Sequence, residues 1–154
     1  MWSRLGRRAG IAFGLVAGLA ACGAAAPSTP AACMTGTAAI EQALAVAPGP
    51  VRLADGTTIS TCIADASGSG IQLEEVGSLL IGTADRLAVR AVASPPDALE
   101  LGYLIGAARR GAARSTGLAG QLRQRVEGAG ALRGAGPASL AALHRGILAG
   151  QDTG

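Results

Sequence analysis

Beyond position 13 this 154-residue chain has one aromatic side chain, Tyr103; the other two, Trp2 and Phe13, sit near the N-terminus. Whatever folds past position 22 must build its core from Leu, Ile, Val and Ala. The same scarcity excludes two classes of function. Single-stranded nucleic acid is held by stacking bases on aromatic platforms, and quaternary ammonium groups are held in aromatic cages. One Tyr makes neither, so no nucleic-acid partner is expected.

The apolar residues recur at helical steps. Leu73, Val76, Leu80, Ala84, Leu87 and Ala91 are three or four apart, and Leu79, Ile81, Ala88 and Val92 widen their face. This spacing predicts a central helix over 71–93. Ahead of it, Thr35 or Thr37 caps a helix carrying Ile40, Leu44 and Ala47, which Pro48-Gly49-Pro50 ends. Val51 to Ile59 is the one extended-looking patch, and its Asp55-Gly56 pair signals a turn. Either a short β-ribbon or a loop fits 51–59. Ser60 then caps a short segment with Cys62 and Ile63. Ser67-Gly68-Ser69-Gly70 is a break that lacks the spacing of a phosphate-binding loop.

Ser94-Pro95-Pro96-Asp97 starts the next helix, which runs to about Arg114 with Leu101, Leu104, Ile105 and Ala108 as its stripe. Gly102 and Gly106 form a GxxxG within it. Each Gly costs about 1 kcal/mol against Ala in a helix interior, while small residues four apart let two helices approach closely. Packing inside the bundle is the plain reading, and dimerisation the sharper one. Leu118, Leu122 and Val126 mark a further helix, 128–136 a hinge, and Pro137 the start of a last helix with Leu140, Leu143, Ile147 and Leu148. The expected fold is all-α, a small bundle of four to five helices with a short β-ribbon near 51–59 as an option.

The N-terminus has a different character. Arg4, Arg7 and Arg8 precede an apolar stretch, Ile11 to Ala21, in the layout of a secretory signal peptide. The stretch ends in Leu19-Ala20-Ala21-Cys22, which resembles the lipobox of bacterial lipoprotein precursors at all four positions. That resemblance implies a diacylglyceryl thioether on Cys22 and cleavage between Ala21 and Cys22. A retained transmembrane segment is the competing reading, but the uncharged run is diluted by Gly10, Gly14, Gly18 and Gly23. Arg7-Arg8 also raises twin-arginine export, although Gly6 stands where Ser or Thr is usual. With no Lys or Asn and abundant Ala and Gly, the rest resembles the small lipoproteins of high-GC Gram-positive bacteria. The implied organisation is a signal peptide over 1–21, a lipidated N-terminus and flexible tether over 22–34, a helical domain over 35–150 and a frayed tail over 151–154. The implied address is the extracytoplasmic face of the cell membrane, with diacylglyceryl on Cys22 as the membrane contact and an envelope protein as partner.

With Cys22 lipidated, Cys33 and Cys62 remain, and oxidising conditions favour their pairing. The alternatives are free buried thiols or a redox pair, the latter disfavoured because the spacing is not CxxC.

The formal charge of +3 is that of Arg4, Arg7 and Arg8; the remainder has ten Arg against ten acids. Those charges are unevenly spread. Three Arg stand against eight acids between Glu41 and Ala108, and seven Arg against Glu127 alone between Arg109 and Arg145. Arg109, Arg110, Arg114, Arg123 and Arg125 are therefore a candidate basic contact face for anionic headgroups or an acidic wall polymer. The plainer reading packs the acidic and basic helices against each other.

Catalytic material is sparse. His144 is the only histidine, so no zinc set is available. No Lys offers a Schiff base, and no G-x-S-x-G elbow is present. Ser139 and His144 are five apart, on different helix faces. Glu74 and Glu75 are consecutive and diverge by about 100° on a helix. No catalytic residue, metal or cofactor is expected. The sequence points first to a non-enzymatic binding or envelope-associated module. Second comes a carrier of an apolar ligand, with a cavity lined by Leu73, Leu80, Leu104 and Leu122. Third comes a hydrolase-type enzyme using His144 in a concave pocket.

Overall fold

The computed structural model describes residues 28–154, so Cys22 and the stretches read above as a signal peptide and a lipobox lie outside the described residues. The described residues form six helices and no strand: α1 (Thr37–Leu44), α2 (Ile59–Ala66), α3 (Gly70–Ala91), α4 (Pro95–Gly111), α5 (Leu118–Ala129) and α6 (Pro137–Thr153), preceded by a 3-10 turn at Ala31–Met34. The expected all-α bundle is what the chain forms.

Local chemistry sets the ends. Thr58, Ser69 and Ser94 are N-caps, accepting from the backbone N–H of Thr61, Gln72 and Asp97. These hydroxyls satisfy donors that the first helical turn leaves without partners. Thr58, rather than Ser60, caps α2, because the chain is still extended at Thr58 and already helical at Ser60. Pro occupies the first turn of both α4 and α6, where its missing N–H costs nothing.

Three expectations are corrected. There is no β-ribbon over 51–59. Gly56, at φ +85°, and the Asp55 carboxylate, which accepts from Thr57 N at 2.9 Å, make the tight turn the Asp-Gly pair signals. The chain then enters α2 at Ile59, leaving no length for a second strand. Residues 31–34, expected to belong to a flexible tether, do not. Ala32 and Cys33 are buried in the 3-10 turn, and Cys33 is bonded to Cys62 on α2 with a Cα–Cα distance of 5.6 Å. Nor do residues 151–154 fray. They complete α6, Gly154 is buried, Ser60 Oγ donates to the Gly154 carbonyl, and Arg110 donates to the Gln151 and Asp152 carbonyls.

Helix α4 is the axis of the molecule. Every residue from Leu101 to Ala108 is buried, as expected of a helix apolar on all sides. Its neighbour α6 runs parallel to it: Gly146 lies on Leu99, Gly150 on Tyr103 and Gly154 on Ala107. The approach is backbone to backbone. A methyl on Gly102 would stand 2.1 Å from the Leu143 carbonyl oxygen, and one on Gly146 2.1 Å from that of Leu99. The Gly102/Gly106 pair is thus spent inside the fold, matched by a second GxxxG, Gly146/Gly150, on the facing helix.

Tyr103, fully buried, ties this pair to the rest. Its hydroxyl accepts from Val51 N at 3.0 Å and lies 2.9 Å from Thr153 Oγ1, so one polar atom joins the 51–58 segment, α4 and the end of α6.

Candidate functional site

Helices α3 and α5 also run parallel, Gly70 beside Leu118 and Gly77 beside Leu122. Between them lies an open groove of about 520 Å3. The residues of α3 that face it recur every three or four positions: Gly70, Leu73 or Glu74, Gly77 or Ser78, Ile81 and Asp85. From α5 come Leu118, Gln121, Leu122 and Arg125. One helical face on each side supplies the whole lining.

The floor is apolar and low. Because Gly77 has no side chain, the Leu122 methyl comes within 3.3 Å of where a Cβ would stand. Leu73, Leu122 and Ile81 complete the floor, and Leu118, 59% exposed, stands at one end. Glu74 and Asp85 are exposed on the α3 wall, Arg125 and Gln121 on the α5 wall. Such a trough, apolar below with opposed charges along its edges, suits an amphipathic segment.

The residues singled out in the sequence are dispersed. Arg109 is paired with Glu127 at 2.9 Å, and Arg123 Nε lies 3.9 Å from the same carboxylate. Arg110 caps the carbonyls of α6. Of the five candidate basic-face residues, then, three are engaged internally. Arg114 is exposed in the α4–α5 connection, and Arg125 lines the groove. His144 is exposed on α6. Ser139 Oγ points to the Val92 carbonyl at 3.5 Å. Leu73 and Leu122 line the groove, whereas Leu80 and Leu104 are packed in the core.

The acidic and basic halves do not neutralise each other. Among the described residues, Glu41 pairs with Arg86 and Arg90 at 3.3 and 3.0 Å, and Asp97 with Arg90 at 2.7 Å, all within the first half. The second half pairs only with its own Glu127. Beside the first cluster sits Glu100. Burial raises its carboxyl pKa, and the nearby Asp97 and Glu41 charges raise it further, against the Arg90 charge.

A folded-state pKa above the unfolded one means that the folded chain holds the proton more tightly. Ionised Glu100 therefore costs stability above its folded pKa, and the cost disappears as pH falls toward the unfolded value. Glu100→Gln is expected to raise the melting temperature at pH 7, with the gain shrinking on acidification and gone below pH about 4. Thermal melts followed by circular dichroism across that range check it. A gain that grows on acidification would contradict the sign.

Among the described residues no helix is long and apolar enough to cross a membrane. In comparison with known proteins, no family model, no curated protein and no solved structure matches this chain.

Proposed function

We propose that this chain is an exported, lipid-anchored, non-enzymatic binding module. It is held at the outer face of the membrane through diacylglyceryl on Cys22, and it receives an amphipathic helix of an envelope protein in the α3–α5 groove. The observation that carries the address is the division of the cysteines. Cys33 and Cys62 are bonded to each other, and the third cysteine ends the Leu19-Ala20-Ala21-Cys22 motif. A disulfide belongs to an oxidising compartment, and a lone thiol after a signal-like stretch is what lipidation uses. Two acyl chains hold a protein stably, since each buried CH2 contributes about 0.8 kcal/mol.

The groove supports the binding role. Its apolar floor of Leu73, Ile81 and Leu122 offers a helix a stripe to pack on. The partner helix carries an apolar stripe with a basic residue toward Glu74 and Asp85. A small apolar ligand fits less well, because the trough is open and leaves much of such a ligand in water.

One sample tests both parts. A photo-reactive phenylalanine is placed at position 78 in the groove, or at exposed Arg133 as control. The full-length protein is expressed in its host, irradiated and extracted from membranes. The expected result is a chain starting at Cys22 with a diacylglyceryl adduct, gaining two hydrogens on reduction, and a discrete cross-linked protein from position 78 alone. An unmodified chain from Met1 would overturn the address. The same adducts from both positions, or none from 78, would overturn the groove.

A further inference from the structure

Two of the large apolar side chains exposed on this fold, Ile71 and Leu118, sit where the chain arrives from Cys22. Thr29, near the start of the described residues, has its Oγ1 3.1 Å from Gln72 Oε1 in the first turn of α3. Ile71, the neighbour of Gln72, is 74% exposed. Leu118 is 59% exposed and opens α5, which runs parallel to α3 and starts beside Gly70. The two residues therefore lie at the same end of the domain as Thr29, to which the chain from residue 22 leads. The α4–α5 connection, with exposed Arg114, lies at that end too.

Thr29 stands seven positions after Cys22. Fully extended, that stretch spans at most about 25 Å. Resting on the lipoprotein reading above, we infer that this end of the domain seats on the bilayer, with Ile71 and Leu118 entering the interfacial region and Arg114 at the level of the headgroups. The lipid is the occupant because the chain from Cys22 arrives at this end, beside Gln72, and keeps it within about 25 Å of the anchor. At the far end of α3, Val89 is 18 residues from Ile71, about 27 Å along the helix axis. Glu74 and Glu75 lie only about one turn above Ile71, which limits entry to the tip of the domain.

Seated this way, α3 and α5 stand away from the membrane, and the groove between them runs from the bilayer surface outward. A partner would then be engaged side-on, by a segment rising from the same membrane or reaching down to it. An interfacial contact made by apolar side chains also differs from a basic face in being little affected by salt.

The test uses the full-length lipidated protein, whose only native Trp, Trp2, is removed with the signal peptide. Ile71→Trp, Leu118→Trp and Val89→Trp each give a chain with one indole. The proteins are reconstituted through their own lipid into vesicles of phosphatidylcholine and phosphatidylglycerol, with and without brominated acyl chains. Indoles at 71 and 118 are expected to shift to the blue and to lose most of their emission to the bromines, at low and at high salt. The indole at 89 is expected to do neither. Equal quenching at 71 and 89, or none at 71 and 118, would overturn the seating while leaving the anchor intact. The mass of the same samples separates the two readings: a chain without diacylglyceryl on Cys22 removes the anchor, and the seating falls with it.

Discussion

Gly102→Ala and Gly146→Ala are each expected to destabilise the protein by about 2 kcal/mol, although Ala is the better helix former. The opposing terms are of known size. Ala for Gly in a helix interior gains about 1 kcal/mol. Forcing a methylene into a filled space typically costs about 1–3 kcal/mol. Here the upper end applies, because the added Cβ would stand 2.1 Å from a carbonyl oxygen in each case, and the obstacle is backbone, which has no rotamer to turn aside. The two helices must move apart, and their separation unpacks Tyr103 and the carbonyls that Arg110 holds.

Because the two glycines face one another, the effects should couple. Once one methyl has pushed α6 outward, the second is accommodated more cheaply, so the double variant should lose less than the sum of the singles. Gly128→Ala in α5 is the control. Nothing lies within 4 Å of its added Cβ, so only the propensity term remains, and it should gain up to about 1 kcal/mol. Urea denaturation followed by circular dichroism reads all four. Gly102→Ala as stable as the parent would mean that α4 and α6 do not meet through their backbones.

This contact explains how a chain with one buried aromatic holds a core. Glycine on both faces brings two backbones together, and small apolar residues then fill the layers around them. Half of this is legible in the sequence. The Gly102/Gly106 spacing is plain, and so is its reading as a close-packing device. Its partner, Gly146/Gly150, has the same spacing and is hidden by composition. In a chain with 24 glycines, no single pair stands out, and only the fold shows which ones face each other.

The same limit applies to the groove. Leu118 and Leu122 are legible as one stripe, and Leu73 as part of another. That the two helices run side by side, and that Gly77 lowers the floor between them, depends on topology rather than periodicity. Charge misleads in a related way. The imbalance between halves suggests a cross-pairing that does not occur, since Arg86 and Arg90 satisfy the acids nearest to them and Glu127 the arginines nearest to it. The tail reads as frayed because its polar letters conceal where its backbone goes: Gly154 is buried under Ser60 and against Ala107. The Tyr103 hydrogen bond, reaching 52 residues back to Val51, has no sequence signature at all.

The second large effect is expected from Cys33→Ala together with Cys62→Ala, which should cost about 3.6 kcal/mol if the bridge acts by closing a loop in the unfolded chain. The sequence separation of 29 sets that figure, and the folded state adds a local term. The bridge fastens the 3-10 turn to α2; without it, buried Ala32 and the contacts of that turn with α3 still hold residues 31–34, but less firmly. Both cysteines are 2% exposed, so a mild reductant should leave the native protein intact and act only once it unfolds. The double variant should therefore differ from the parent in non-reducing urea, and the two should converge when reductant is present throughout unfolding. Amide exchange should rise at the 3-10 turn, and the slowest amides of α4 and α6 should lose protection by the same free energy as the global stability. A double variant within about 1 kcal/mol of the parent would place the worth of the bridge elsewhere. On the proposed anchoring through Cys22, that place is the 3-10 turn, which the bridge fixes beside α3. Loss of the bridge should then loosen the bilayer contact at Ile71 even where the helices themselves remain folded.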